Sequence, residues 1–163
     1  MIDQSPAVQP PSPIVTADLV GAWSLKNYMD TMDGAKTMHP LGLGPKGLLI
    51  YTPDEFMSAL LMRTDRSPLD LGNVNAGTMS DYRAKTDDFI GYSGMFHFDQ
   101  LTATVFHMPT ASFAPGLIGR QLKRQVKLDG DRLTLTVVTP RVGGKSVTSS
   151  LSWLRLHRQP SGR

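Results

Sequence analysis

Three side chains carry most of the chemistry this sequence could perform: Arg124, His107 and Tyr92. Across residues 121–128, Gln121, Lys123, Gln125 and Lys127 alternate with Leu122, Arg124, Val126 and Leu128, the period of a strand with one buried face. Arg124 is the exception on that face. A guanidinium keeps its charge in any protein environment, so burying it demands a carboxylate, carbonyl oxygens, water or a ligand anion. An internal ion pair or a rim position satisfies that demand as well as a ligand does. Tyr92 and His107 lie on the strands flanking Asp99-Gln100, and an even-numbered turn preserves their parity and makes them neighbours on one face. A phenol against an imidazole can polarise a carbonyl or move a proton during ring closure. The plainer alternative is a buried histidine satisfied for structural reasons. Asn27 and Tyr51 are further polar anchors.

Other chemistries are poorly equipped. Ser93 sits in Gly-Tyr-Ser-Gly, which lacks the spacing and the strand-to-helix setting of a nucleophile elbow. His39, His97, His107 and His157 have no metal-ligand spacing, and Gly42-Leu43-Gly44 is too short to cradle a phosphate. Neither a metal nor any other cofactor is expected. The chain has no cysteine, which removes thiol catalysis and disulfides and fits a reducing, cytoplasmic location. Its 17 basic and 14 acidic residues are interleaved, leaving a net charge of only +3; nucleic-acid binding would want a clustered patch. No apolar run approaches membrane-spanning length.

The elements that must hold these residues are short strands. Residues 1–15 are rich in proline and read as a flexible tail, 16–156 as the domain, and 157–163 as a second frayed end. Thr16 offers a capping hydroxyl for one helical turn. The alternation of 23–31 puts Trp23, Leu25, Asn27 and Met29 on the inward face, and Asp33-Gly34 turns the chain back. A central hairpin spans 39–66, turning at Thr52-Pro53-Asp54-Glu55. With Tyr51 opposite Phe56, Tyr51 and Leu49 share a face with Phe56, Ser58 and Leu60, while Ile50 and Leu48 join Met57, Ala59 and Leu61. Neither face is polar, so both need cover. The one sizeable helix is expected over 78–88, opened by Thr78. Residues 110–119 read as a rim loop, Asp129-Gly130 as a tight turn, and 146–155 as the last strand, with Val147, Ser149, Leu151 and Trp153 on one face. About nine strands in hairpin order, without a β-helix-β rhythm, favour an all-β, closed antiparallel barrel, with a sandwich as the runner-up.

Gly21-Ala22-Trp23, His39-Pro40-Leu41-Gly42, the run from Gly47 through Asp54, Met57-Ser58-Ala59, Leu61-Met62-Arg63, Tyr92-Ser93-Gly94, Gly130-Asp131-Arg132-Leu133-Thr134-Leu135 and Leu151-Ser152-Trp153-Leu154-Arg155 occur in one order. In these the chain resembles the lipocalin-like domain family of small bacterial and fungal proteins, over roughly residues 18–156. The resemblance implies a calycin-type barrel with a hydrophobic interior, its base closed by Arg155 stacked on Trp23. Two positions depart from the pattern: Glu55 stands where glycine is expected and Leu60 where glutamine is common. Some related small barrels are natural-product cyclases, pericyclic ones included, or isomerases; others only bind hydrophobic ligands.

The expected function is cofactor-independent cyclisation, of a Diels–Alder type or otherwise, or isomerisation of a hydrophobic polyketide-type intermediate. A cavity that holds two reacting ends together needs little acid–base equipment. The alternative is a non-catalytic carrier of a hydrophobic small molecule; a structural module, with the outer face of the hairpin against a second subunit as a homodimer, is a third reading. Arg124, His107 and Tyr92 would act on the ligand. Asn27, Tyr51, Met57, Phe96, Val126, Leu135 and Trp153 would contact it. Met29, Met57, Met62, Met95 and Met108 suit a pliable wall and serve equally as core filler.

Overall fold

Antiparallel strands in hairpin order bury one face by curling until the first meets the last, and this chain does so. A computed structural model describes residues 13–33, 36–65 and 88–157. Nine strands follow the short helix α1 (Thr16–Leu19): β1 (Gly21–Met32), β2 (Lys36–Met38), β3 (Lys46–Tyr51), β4 (Phe56–Met62), β5 (Phe89–Asp99), β6 (Thr104–Ser112), β7 (Leu122–Asp129), β8 (Arg132–Pro140) and β9 (Ser146–Arg155). Their order is β2-β1-β3-β4-β5-β6-β7-β8-β9, and β1 also pairs with β9. Eight strands therefore close a barrel, and β2 is an extra strand on β1. Closure removes the sheet edges that an open sandwich would leave. The helix expected over 78–88 lies outside the described residues, apart from Asp88. Among the described residues no helix is long and apolar enough to cross a membrane.

One end is sealed by residues at the start and finish of the chain. The Arg155 guanidinium lies 4.0 Å from the Trp23 ring centroid. It donates to the Val20 carbonyl at 2.9 Å and the Asp18 carbonyl at 2.6 Å, while the Trp23 indole donates to Leu19 at 2.9 Å. Gly21 makes room: its φ is +133°, and a Cβ there would sit 3.1 Å from Arg155 Nη1. Arg155→Met should lower the unfolding free energy by about 1–2 kcal/mol, through the lost cation–π contact and carbonyl bonds. A shift in denaturant midpoint at unchanged slope would show it. Helix α1 is capped from within, the Val15 amide donating to Asp18 Oδ2 at 2.8 Å, so Thr16 is not the cap.

Three local irregularities set which side chains face inward. In β1 the pairing with β9 slips between Leu25 and Asn27. Lys26 bulges out, the parity reverses, and Tyr28 replaces Asn27 on the inner wall. In the central hairpin Tyr51 pairs with Met57, not opposite Phe56. Thr52 bonds Phe56 and the loop holds three residues, with Glu55 at φ 65° in the left-handed position that glycine usually takes. The one-residue shift corrects the expected faces: Tyr51, Leu49, Met57, Ala59 and Leu61 are buried inside, while Leu48, Phe56 and Leu60 are 36%, 52% and 44% exposed outside. In β6 the partners jump from Gly94–Pro109 to Ser93–Ala111, leaving Thr110 as the extra residue. Pro109 cannot donate to a ladder, and a bulge is where a strand tolerates it.

Candidate functional site

The inward residues converge on His107, which is fully buried. Its Nε2 lies 2.6 Å from the Tyr51 hydroxyl and its Nδ1 3.0 Å from the Tyr92 hydroxyl. Burial, with the Arg124 charge adding to it, pushes the His107 pKa from 6.5 down to about 3, so the ring is neutral and carries one proton. Burial also raises both phenols: Tyr51 well above its ordinary value, with Tyr92 adding and Arg124 opposing, and Tyr92 less far, because the neighbouring Arg124 guanidinium opposes the shift by charge and hydrogen bonding. Neither tyrosine is a phenolate at neutral pH.

The direction of the protons follows from what each hydroxyl can reach. Tyr51 is 1% exposed and is not on a cavity wall. Were Nε2 protonated, Tyr51 would have to accept, and its own proton would be buried without an acceptor at a cost of about 1–3 kcal/mol. With the proton on Nδ1, Tyr51 donates to Nε2 and Nδ1–H donates to the Tyr92 oxygen, a tautomer assigned from the network. The Tyr92 hydroxyl proton then remains free. Tyr92 lines the cavity, so that proton is available to a bound molecule.

The cavity has two compartments. An inner chamber of about 90 Å³ is walled by Leu49, Ala59, Leu61, Leu135 and Leu151 on the apolar side, and by Tyr28, Tyr92, His107, Arg124, Ser149 and Trp153 on the polar side. An outer recess of about 640 Å³ runs over Phe89, Phe113, Pro115, Leu117 and Leu122. Ile90, Tyr92 and Arg124 belong to both and stand between them. The chamber alone holds about three waters' worth of volume; with the recess the site reaches the ~300–1,000 Å³ usual for small-molecule pockets. Phe113, Ala114, Pro115 and Leu117 form part of the recess wall, although β6 continues to Ser112.

The structure brings Arg124, Tyr92, His107 and Tyr51 together, and puts Leu135 and Trp153 on the chamber wall. Met57, Phe96 and Val126 are buried in the core beside it; Phe96 packs on Tyr51 at 4.6 Å between ring centroids. None of the three lines either compartment, nor does Asn27. Tyr28 and Ser149 do, and sequence reasoning did not single them out as polar wall residues. Ser149 had the correct parity; Tyr28 was hidden by the Lys26 bulge. Among the described residues no three His, Asp or Glu side chains gather as a metal site would need.

A family model described as the lipocalin-like domain matches residues 20–156. The chain belongs to that family. No match was found among curated proteins or solved structures. A lipocalin-like barrel of this kind is a container for hydrophobic ligands, and here the container has an apolar recess ending in a donor-rich chamber. The match begins before Trp23 and ends just after Arg155, so it includes the stacked Trp23–Arg155 pair and every strand that closes the barrel.

Proposed function

We propose that this lipocalin-like barrel binds a hydrophobic, polyketide-type molecule and accelerates its cyclisation or isomerisation without a cofactor. The observation that carries the reading is the Tyr92 hydroxyl, fixed between His107 and Arg124 on the cavity wall with its proton free. A neutral phenol whose oxygen accepts from an imidazole N–H and neighbours a guanidinium is a strong, pre-oriented donor. It polarises a ligand carbonyl as charge grows on that oxygen in the transition state. The apolar recess folds the chain so that its reacting ends meet, converting entropy lost on binding into a lower barrier. Cyclisation or isomerisation moves bonds within one molecule and requires no atom from outside. His107 holds Tyr92 in place and serves as neither acid nor base, because its protonation is suppressed.

The test is incubation with a linear polyketide precursor bearing a carbonyl, following product by mass and chirality. Saturable acceleration with stereocontrol is expected, and Tyr92→Phe should slow it about a hundredfold, as loss of one oxyanion-type donor does. The carrier reading is favoured by the low basicity of His107, which removes the one imidazole on the chamber wall from proton transfer. Saturable binding with no acceleration or stereocontrol over the buffer reaction would establish the carrier and refute the enzyme.

A further inference from the structure

The inner chamber has an imbalance of hydrogen-bonding groups. Trp153 is 2% exposed and lines it, and the Trp153 indole N–H has no partner. An unpaired buried donor is uncommon in a folded protein, and this one lies behind the wall, closed to the chamber. Arg124, also on the wall, donates to the Lys123 carbonyl and to the Tyr92 hydroxyl; among the described residues no carboxylate pairs with it. The Tyr28 and Ser149 hydroxyls bond each other, and because one proton serves that bond the pair keeps a second one to offer. His107 has both nitrogens engaged. The chamber therefore offers donors from Arg124, Tyr92 and the Tyr28–Ser149 pair, and one formal positive charge. Its wall includes no carboxylate; Asp30, whose charge reaches Tyr28, is not part of it.

From this, and resting on the reading of the barrel as a binder of hydrophobic molecules, we infer that the ligand carries a terminal carboxylate and enters carboxylate first. The chamber, about 90 Å³, accommodates a carboxylate and the first carbon or two behind it. The two oxygens accept from Arg124 and from the Tyr28–Ser149 pair, and the apolar body lies along Phe89, Phe113 and Leu122 in the recess. This orientation fixes which part of the ligand meets Tyr92: the carbons next to the head group, where the two compartments join. The substrate class is a long-chain or polyketide-type carboxylic acid rather than an alcohol, an amine or a hydrocarbon.

Calorimetric titration of the full-length protein at pH 7 with decanoate, 1-decanol and decylamine tests this. Decanoate is expected to bind about tenfold or more tighter than decanol, with decylamine weakest, since a charge-assisted pair in a dry pocket exceeds a neutral bond. Arg124→Gln should weaken decanoate by about tenfold while leaving decanol within about twofold. Should that variant fail to fold, the ranking of the three probes on the unaltered protein decides. Decylamine or decanol binding as tightly as decanoate, or decanoate binding unchanged in Arg124→Gln, would overturn the carboxylate assignment and leave hydrophobic binding standing. No binding of any of the three would overturn both.

Discussion

His107→Phe is expected to cost about 2–4 kcal/mol of stability at neutral pH and to flatten the loss of stability in acid. The neutral-pH effect comes from Tyr51. Its hydroxyl is buried and its 2.6 Å bond to Nε2 is the one it makes; deleting the acceptor leaves a polar group dry and unpaired. Tyr92 loses its Nδ1 partner as well but keeps Arg124. Tyr51→Phe should cost less, and Tyr51→Phe combined with His107→Phe should cost clearly less than the two singly, because the second change removes a group the first had orphaned.

The acid behaviour follows from the depressed pKa of about 3 against an ordinary 6.5. Above pH 6.5 neither the folded nor the unfolded chain protonates this histidine, and it contributes no slope. As pH falls below 6.5 the unfolded chain binds a proton that the folded one refuses, so stability drops by about 1.4 kcal/mol per pH unit until pH reaches about 3. Unfolding curves at pH 7 and pH 4 should therefore differ by about 3 kcal/mol more in the wild type than in His107→Phe. Equal pH dependence would mean that His107 is not held neutral.

Gly94→Ala is the second large effect, about 3 kcal/mol or more. A Cβ at this position would overlap the Met108 carbonyl oxygen and lie 2.9 Å from Pro109 Cα. Both obstacles are backbone, so no side-chain rotation relieves them, and the strand pair must separate. The consequence reaches function. Gly94 faces Pro109 at the bulge that leaves Thr110 unpaired and brings Tyr92 opposite Ser112. Forcing the strands apart there displaces Tyr92 from His107. Thermal unfolding should show a fall of roughly 5–10 °C or more, and decanoate binding at low temperature, where the fold survives, should weaken with it.

Much of this was legible in the sequence because strand parity survives loops of unknown length wherever the turn chemistry is plain. Asp129-Gly130 fixes the β7–β8 pairing, which places Arg124 inward with Leu122 and Val126. Tyr92 and His107 meet as expected, although the turn between their strands is longer than Asp99-Gln100 and His107 pairs opposite Phe96; an even shift in register keeps the face. The errors came from single-residue irregularities, which reverse every side chain beyond them. The Lys26 bulge has no residue signature and exchanged Tyr28 for Asn27. Glu55 occupies a left-handed position with a side chain that disguises it, so the three-residue loop read as four and the hairpin faces were interchanged. Pro109 did signal the third bulge, being a proline inside a strand. The unpaired Trp153 donor lay beyond sequence reasoning, since whether an indole finds an acceptor depends on tertiary packing alone.

A neutral His107 whose Nδ1–H points at Tyr92 frees the Tyr92 hydroxyl for the ligand. Imidazole ¹⁵N chemical shifts of specifically labelled protein, recorded from pH 7 to pH 4, read this directly. The expected result is one proton on Nδ1, an unprotonated Nε2 accepting from Tyr51, and no titration across the range. A protonated Nε2, or an imidazolium forming near pH 6, would contradict it.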